Sequence, residues 1–447
     1  MFLDSTITRS RSLAHGVGEW WVVVALLFSL IPAGMGVPMF GNNISLFDIA
    51  LLAVLLYRVF RGVVGNFGFD LSDKPVLLLS LAFLIIQLIS LLFNLRDVHL
   101  GFRAVKIFAF GYLTYMLCVS TLKRTRDVQR VLLGLIVWGG TVGLLLVHGY
   151  ITDWSSLVAQ DDGSGIGVKD EVGIALGHSN NLAALLVMIL PVAIAALFSC
   201  RRFLRIAIGI CVGLILVGLL ITMSRGGFLS IVVGLLCAGP MIWKAGLKLR
   251  HAAIFLGAVV CFFLLALLIV PELLIFDYGM LSYRLDNPDY ARVDLWKASW
   301  EVFLTHPLFG IGPDSIYVYN RRLAIDVPYS HNFILNTLSE LGLAGGVSFF
   351  LLLGILIRRS YRLCLSTLAD PKLKHIALGL FVGLLSTLAH GLVDPTFPFQ
   401  TYEIIFWICM ALVYSYQQIL KKSALAGAAD AISLPARLTP SNCGLRG

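Results

Sequence analysis

Charge is scarce in this chain. Asp, Glu, Lys and Arg together supply 13% of 447 residues, about half the share of a typical soluble domain, which excludes an ordinary water-soluble enzyme. Familiar catalytic signatures are missing too. There is no Walker loop, no HExxH, no CxxC pair and no DxD motif of the kind that holds a metal–nucleotide complex. Asp286 and Asp289 stand three apart with nothing to complete a ligand set, so neither a metal nor a cofactor is expected. The GSGIG stretch at Gly163–Gly167 follows no strand and reads as a loop, not a dinucleotide site. No internal repeat, heptad or low-complexity tract is found. The eight cysteines (Cys118, Cys200, Cys211, Cys237, Cys261, Cys364, Cys409 and Cys443) fall in apolar runs, in segments expected inside, or in the tail. That distribution implies no disulfide framework.

What is abundant is apolar surface: 58% of residues are hydrophobic and the mean hydropathy is +0.89, the mark of a polytopic membrane protein. A span needs about 20 largely apolar residues. The spacing predicts an all-α protein with twelve such spans. The first six are Trp20–Val37, Ile44–Phe60, Pro75–Phe93, Ala104–Ser120, Val131–Ile151 and Asn181–Phe198. The second six are Ile206–Met223, Gly226–Trp243, Ala252–Val270, Leu341–Ile357, Ile376–Val393 and Tyr402–Leu420. A basic lead containing Arg9 and Arg11 runs straight into the first span without a clear cleavage site. Most Lys and Arg residues, from Lys123/Arg124/Arg126/Arg130 through Arg201/Arg202/Arg205 to Arg358/Arg359/Arg362, fall in alternate loops. The positive-inside rule then sets both ends inside. The net charge of +9 suits loops facing anionic membrane lipid, and no soluble basic face is present that would suit nucleic acid. The expected layout is spans 1–9 over residues 1–272, an outer loop over 273–340, spans 10–12 over 341–422 and an inner tail over 423–447, loosely ordered.

That outer loop is the long polar interruption of the chain, and long loops between packed elements usually carry function. Spans six, eight and ten start on its side, so their positive dipole ends point there. Span six opens with Gly177-His178-Ser179-Asn180-Asn181 and span eight with Ser224-Arg225-Gly226-Gly227. Ser224 suits an N-cap, the glycines let a ligand approach backbone N–H groups, and the Arg225 guanidinium fits phosphate oxygens. The bland alternative is an interfacial arginine that merely snorkels. Before span ten, Ser330-His331-Asn332 reads as the capped start of a short helix ending at Gly342. A histidine is the side chain most often used as a general base, which makes His331 a candidate, although a lone loop histidine is more often only a hydrogen-bonding residue. Asn332, Asn336 and Glu340 are spaced to share one helix face, which could equally be a wet surface. Within Ala291–Leu304, Val293, Trp296, Trp300 and Val302/Phe303 suggest an amphipathic helix at the membrane interface. Arg292 sits at the wrong end of that helix for the dipole, which points to a ligand or to an acidic neighbour such as Asp289. Arg284, Lys297, Arg321 and Arg322 add charge to the loop. His178 and the pair His390/Asp394 read as structural more readily than catalytic.

Together, GHSNN at 177–181, SRGG at 224–227, HPLFGIG at 306–312, SHNFILNTLSELGLAGG at 330–346 and HGLVDPTFPF near His390 resemble the O-antigen ligase and polymerase superfamily, in the right order over most of Gly177–Phe399. The resemblance implies a bacterial inner-membrane enzyme with its active site on the periplasmic side. The donor is an undecaprenyl-diphosphate-linked glycan and the acceptor a sugar hydroxyl, on the lipid A-core for a ligase and on another carrier-linked repeat for a polymerase. It implies no metal and no nucleotide sugar. By motif, His331 matches the histidine thought to activate the acceptor and Arg225 an arginine proposed to hold diphosphate. Arg284 and Arg292 are further diphosphate candidates, with Ser224, His178, Asn180 and Asn332 in support. The ligase is the leading expectation. A polymerase, a member that glycosylates protein, and a twelve-span transporter are the rivals, and the unrelated halves of the chain speak against the transporter.

Overall fold

The computed structural model describes residues 37–39, 42–44, 46–64, 70–93, 98–152, 179–222, 224–244, 257, 292–316 and 329–433. The expected spans Trp20–Val37 and Ala252–Val270 lie almost wholly outside these residues. So do His178, Arg284, Asp286, Asp289, Gly163–Gly167, Arg321, Arg322 and the last part of the tail.

A two-stranded antiparallel hairpin, β1 (Val37–Met39) with β2 (Asn42–Ile44), leads into α1 (Leu46–Val64). It is the one departure from all-helical structure among the described elements. The helices that follow are α2 (Lys74–Phe93), α3 (Val98–Thr121), α4 (Thr125–Thr152), α5 (Ser179–Ser199) and α6 (Arg202–Ile221). After these come α7 (Arg225–Lys244), α8 (Arg292–Thr305), α9 (Phe333–Cys364), α10 (Pro371–Gly391) and α11 (Gln400–Ser433). Among the described residues nine helices, α2–α7 and α9–α11, are long and apolar enough to cross a membrane, and each coincides with an expected span. The chain is a multi-pass membrane protein. The span expected at Ile44–Phe60 is the 19-residue α1, whose strongly apolar part, Asp48–Tyr57, is shorter. At its start the buried Asp48 takes hydrogen bonds from Lys106 of α3, at 3.1 Å, and from Gln400 of α11. The tail departs from its expectation. α11 continues through Ser423 to Ser433 because this Ala/Leu-rich segment has high helix propensity.

Helix α5 is the axis of the bundle, with 83% of its apolar window buried. It packs against α10 and α6 most extensively. Two α10 glycines allow backbone contact with α5: a Cβ on Gly383 would lie 2.2 Å from the Met188 carbonyl oxygen, and one on Gly379 2.7 Å from that of Pro191. Small residues of this kind let membrane helices approach closely, and here they fix the height of the α10 C-terminus, where His390 lies. Aromatic packing ties α11 to α3 through Trp407, Tyr112, Tyr115 and Phe108.

Helix α9 is broken. Gly342 has φ 63° and ψ −162°, which splits off the segment Phe333–Leu341. The backbone groups freed there pair with the HPLFGIG turn. Ile311 and Gly312 donate to the Ser339 and Glu340 carbonyls at 3.1 and 3.0 Å, while Leu343 and Ala344 donate to Pro307 and Leu308 at 2.7 and 3.1 Å. Ser90 of α2 adds hydrogen bonds to the Phe309 and Glu340 carbonyls. Helix α8 forms at Arg292–Thr305, where an amphipathic helix was expected. Leu295, Ala298, Ser299 and Val302 are its buried side, and α8 packs on α9. Val293 and Trp300, expected on the apolar stripe, are exposed. The i, i+3, i+4, i+7 row that packs inward includes alanine and serine, small residues that let α8 sit close to its neighbour.

Candidate functional site

Five chain segments meet at one end of the bundle. Helix α7 opens as expected: the Gly227 N–H donates to Ser224 Oγ at 3.3 Å, so Ser224 is its N-cap. Arg225 is exposed on the first turn. The start of α5 is adjacent, since a Cβ on Gly227 would lie 3.3 Å from Ala183 Cβ. One turn before Ala183 stands the buried Asn180. From the far side, α10 delivers its last turn. His390 Nε2 is 3.4 Å from Ser224 Oγ, and the chain then bends with Val393 and Asp394 N–H both donating to the His390 carbonyl at 3.0 Å.

Asp394 is the hub. Its Oδ1 is 2.9 Å from His331 Nδ1, and its Oδ2 is 3.7 Å from the Arg292 guanidinium. Burial pushes its carboxyl upward in pKa, but the hydrogen bond from His331 and the positive fields of His331, His390 and Arg292 outweigh that and hold it below the usual carboxylate range. An ionised Asp394 accepts from Nδ1–H, which selects the imidazole tautomer whose Nε2 carries the basic lone pair. A base oriented by a buried carboxylate is the logic of nucleophile activation in hydrolases. The same geometry, with an alcohol in place of the nucleophilic side chain, would deprotonate an incoming hydroxyl.

The segment before α9 behaves as its sequence suggests. Asn332 has an extended backbone and its side chain accepts from Ile334 and Leu335 N–H at 2.9 and 3.1 Å. Its Nδ2 donates to the Leu392 carbonyl at 3.1 Å, tying the cap to the Asp394 turn. The Asn336–Glu340 row is not a wet surface: these two side chains are buried, at 6% and 7% exposure.

Of the residues singled out from sequence, the fold gathers His331, Asn332, Arg292 and Ser224 around the His390–Asp394 turn, with Arg225 and Asn180 at the adjoining helix starts. His178 and Arg284 lie outside the described residues. Arg292 turns toward Asp394, while Asp289, its expected partner, is outside the described residues too. The pair His390/Asp394, read from the sequence as structural more readily than catalytic, stands among these residues: Asp394 contacts both His331 and Arg292. The available signal was an aspartate in an apolar C-terminal stretch, four residues after a histidine and next to Pro395, since ionisable groups in such stretches are rarely idle. Among the described residues, no group of three or more His, Cys, Asp or Glu could hold a metal ion.

Residues 210–350 match the family model described as O-antigen ligase, a segment that runs from α6 past the α9 break and includes Ser224, Arg225, Arg284, Arg292 and His331. The chain is also similar to the teichuronic acid biosynthesis protein TuaE of Bacillus subtilis (strain 168), at 24% identity over 414 residues, covering 86% of this chain and 82% of that one. These two likenesses bear out the family resemblance read from the sequence motifs.

Proposed function

We propose that this protein transfers a glycan from an undecaprenyl-diphosphate carrier to a sugar hydroxyl, from the periplasmic side of the bacterial inner membrane. The observation that carries this reading is the contact of Asp394 with His331 on one carboxylate oxygen and with Arg292 on the other. It puts a base for the acceptor beside a cation for the leaving group. In the step itself, the acceptor oxygen forms a bond to the anomeric carbon as the bond from that carbon to the diphosphate oxygen breaks. The diphosphate leaves with the electron pair, and the acceptor proton passes to His331 Nε2. Asp394 orients the imidazole. Arg225, Arg292 and Arg284 stabilise the charge that grows on the diphosphate, helped by the N-terminus of α7. Ser224, Asn332, Asn180 and His178 support these groups. A single displacement inverts the anomeric centre and needs no metal. The outer loop over 273–340 then belongs to the catalytic unit, with residues 1–272 and 341–422 as its membrane frame and 423–447 as a cytoplasmic tail.

Ligation to lipid A-core is the leading reading, in keeping with the matched family. Polymerisation of carrier-linked repeats is the second, and one observation favours it: the likeness to the teichuronic acid biosynthesis protein spans 86% of the chain. Purified protein given carrier-linked glycan with and without lipid A-core decides between them, a core conjugate meaning ligase and longer carrier-linked chains meaning polymerase. His331→Ala and Arg225→Ala, each checked for normal membrane insertion, should abolish transfer, and added chelator should leave the wild type unchanged. Full activity in both variants would remove the proposed roles.

A further inference from the structure

We infer that Asn336 and Glu340 are positioning residues for His331, holding its backbone in the one conformation that brings the imidazole to Asp394. The inference rests on the reading of His331 as the base. His331 has φ 51°, a left-handed conformation that is costly for a side chain other than glycine and persists only where the surroundings over-determine it. Both neighbours of His331 are pinned. On one side Asn332 is fixed by its cap and by its bond to Leu392. On the other, Ser330 is fully buried: its N–H donates to Asn336 Oδ1 at 3.3 Å, and its Oγ lies 2.9 Å from the Asn332 carbonyl and 3.2 Å from the same Asn336 Oδ1, spanning His331.

A primary amide has an accepting and a donating end. For Asn336 to show its oxygen to Ser330, its NH2 needs an acceptor on the opposite side. Glu340, one turn on, supplies that acceptor, and its carboxylate is itself held by the Asp314 and Ile316 backbone N–H groups. The row Glu340, Asn336, Ser330 therefore runs as a relay of orientation from the HPLFGIG-side loop to the base. The other Glu340 oxygen, Oε1, has no protein partner, and Glu340 lines a cavity of about 80 Å³. Gln87 and Glu403 line the same cavity. A glutamine at 340 would keep an acceptor toward Asn336 and have the same size and shape as the native side chain. The role assigned to Glu340 thus requires its shape and its accepting oxygen, not its charge.

The test uses full-length protein in the glycan-transfer assay. Asn336→Leu and Glu340→Leu should each lower kcat roughly ten- to hundredfold, the scale on which small misplacements of reacting groups act. The KM for the donor should stay within about twofold, with normal melting and gel-filtration behaviour, because the misplaced group is the base and not the donor site. Glu340→Gln should stay within about threefold of wild type. A folded Asn336→Leu with wild-type kcat, or a folded Glu340→Gln as poor as Glu340→Leu, overturns the inference. Should Asn336→Leu not fold, the double variant Asn336→Asp/Glu340→Gln, which keeps an acceptor for Ser330, takes its place. Retained transfer supports the inference, and a folded but inactive protein overturns it. His331→Ala run alongside separates the two readings. If it remains active, the base assignment falls whatever Asn336 does; if it is dead while Asn336→Leu is normal, only the positioning role falls.

Discussion

Replacing Gly342 by alanine tests whether the broken helix carries the site. At φ 63° and ψ −162° the residue sits in a region essentially reserved for glycine, and forcing a side chain there costs roughly 1–3 kcal/mol. Space is also denied: the new Cβ would lie 2.4 Å from the Leu308 carbonyl carbon and 2.5 Å from its oxygen. The colliding atoms are backbone and cannot rotate away. Gly310 faces it across the same contact, with a Cβ position 2.2 Å from the Glu340 carbonyl carbon. Relief therefore means separating the two strands of chain, and with them the four backbone hydrogen bonds between 307–312 and 339–344, each contributing about 1 kcal/mol. Gly342→Ala should thus lose roughly 3–6 kcal/mol locally. In detergent it should melt on the order of 5 °C or more below wild type, with transfer falling along with the order of Phe333–Leu341. Gly354, farther along the same helix, is the control, because a Cβ there meets nothing within 4 Å. Gly354→Ala should be neutral or slightly stabilising, since alanine is the better helix former. Wild-type melting and turnover in Gly342→Ala would refute the reasoning.

Two further outcomes follow from the charged contacts. Asp394→Asn should lower transfer by about 100-fold or more with donor binding kept, because the amide no longer selects the Nδ1–H tautomer. Since the Asp394 carboxyl is held below its ordinary range, the stability it contributes is complete above the unfolded value of about 3.9 and is lost as pH falls through the lower folded value. Melting curves from pH 6 down to pH 3 should therefore show an acid-side loss in wild type that is smaller in Asp394→Asn, and identical slopes would count against the dyad. At the opposite end, Arg359→Leu strands the buried Asp73 and should destabilise by roughly 3–5 kcal/mol. Adding Asp73→Asn should recover most of the loss, with turnover per folded molecule unchanged throughout. A single variant that melts like wild type would show that this pair is not holding the helices.

Much of the fold was legible because hydrophobic length is a local property. Nine of the twelve expected spans coincide with helices long and apolar enough to cross a membrane and a tenth with α1, and the Asn332 cap and Gly342 stop were readable from side-chain chemistry that acts within four residues. Which row of α8 packs against the protein was not, because the contact of Leu295, Ala298, Ser299 and Val302 is made by a helix distant in sequence. The same limit hid Asp394. Its partners are 63 and 102 positions away in the chain, and nothing at 390–394 says that α10 ends level with the start of α9. That level is set by the Gly379 and Gly383 contacts with α5. Sequence named His331 and Arg292; only packing could say that one carboxylate joins them.

The two ends of the bundle show how the same ion pair can serve opposite purposes. Arg359 and Arg292 each face a buried aspartate. Arg359 has 17% of its side chain exposed, binds Asp73 through both terminal nitrogens, and stacks 5.0 Å above the Tyr414 ring. Tyr115 bonds to the same carboxylate. With its donors so engaged inside the protein, Arg359 joins α2, α3, α9 and α11 and has little left to offer a ligand. Arg292 is 49% exposed and reaches Asp394 through one nitrogen at 3.7 Å, outside ordinary hydrogen-bond length. A guanidinium carries five N–H donors, so this loose grip aims the group without consuming it. Arg292, half-exposed, keeps donors that Asp394 does not engage. A loosely held arginine beside a firmly held histidine is what a site requires when the cation must follow a moving leaving group while the base stays still.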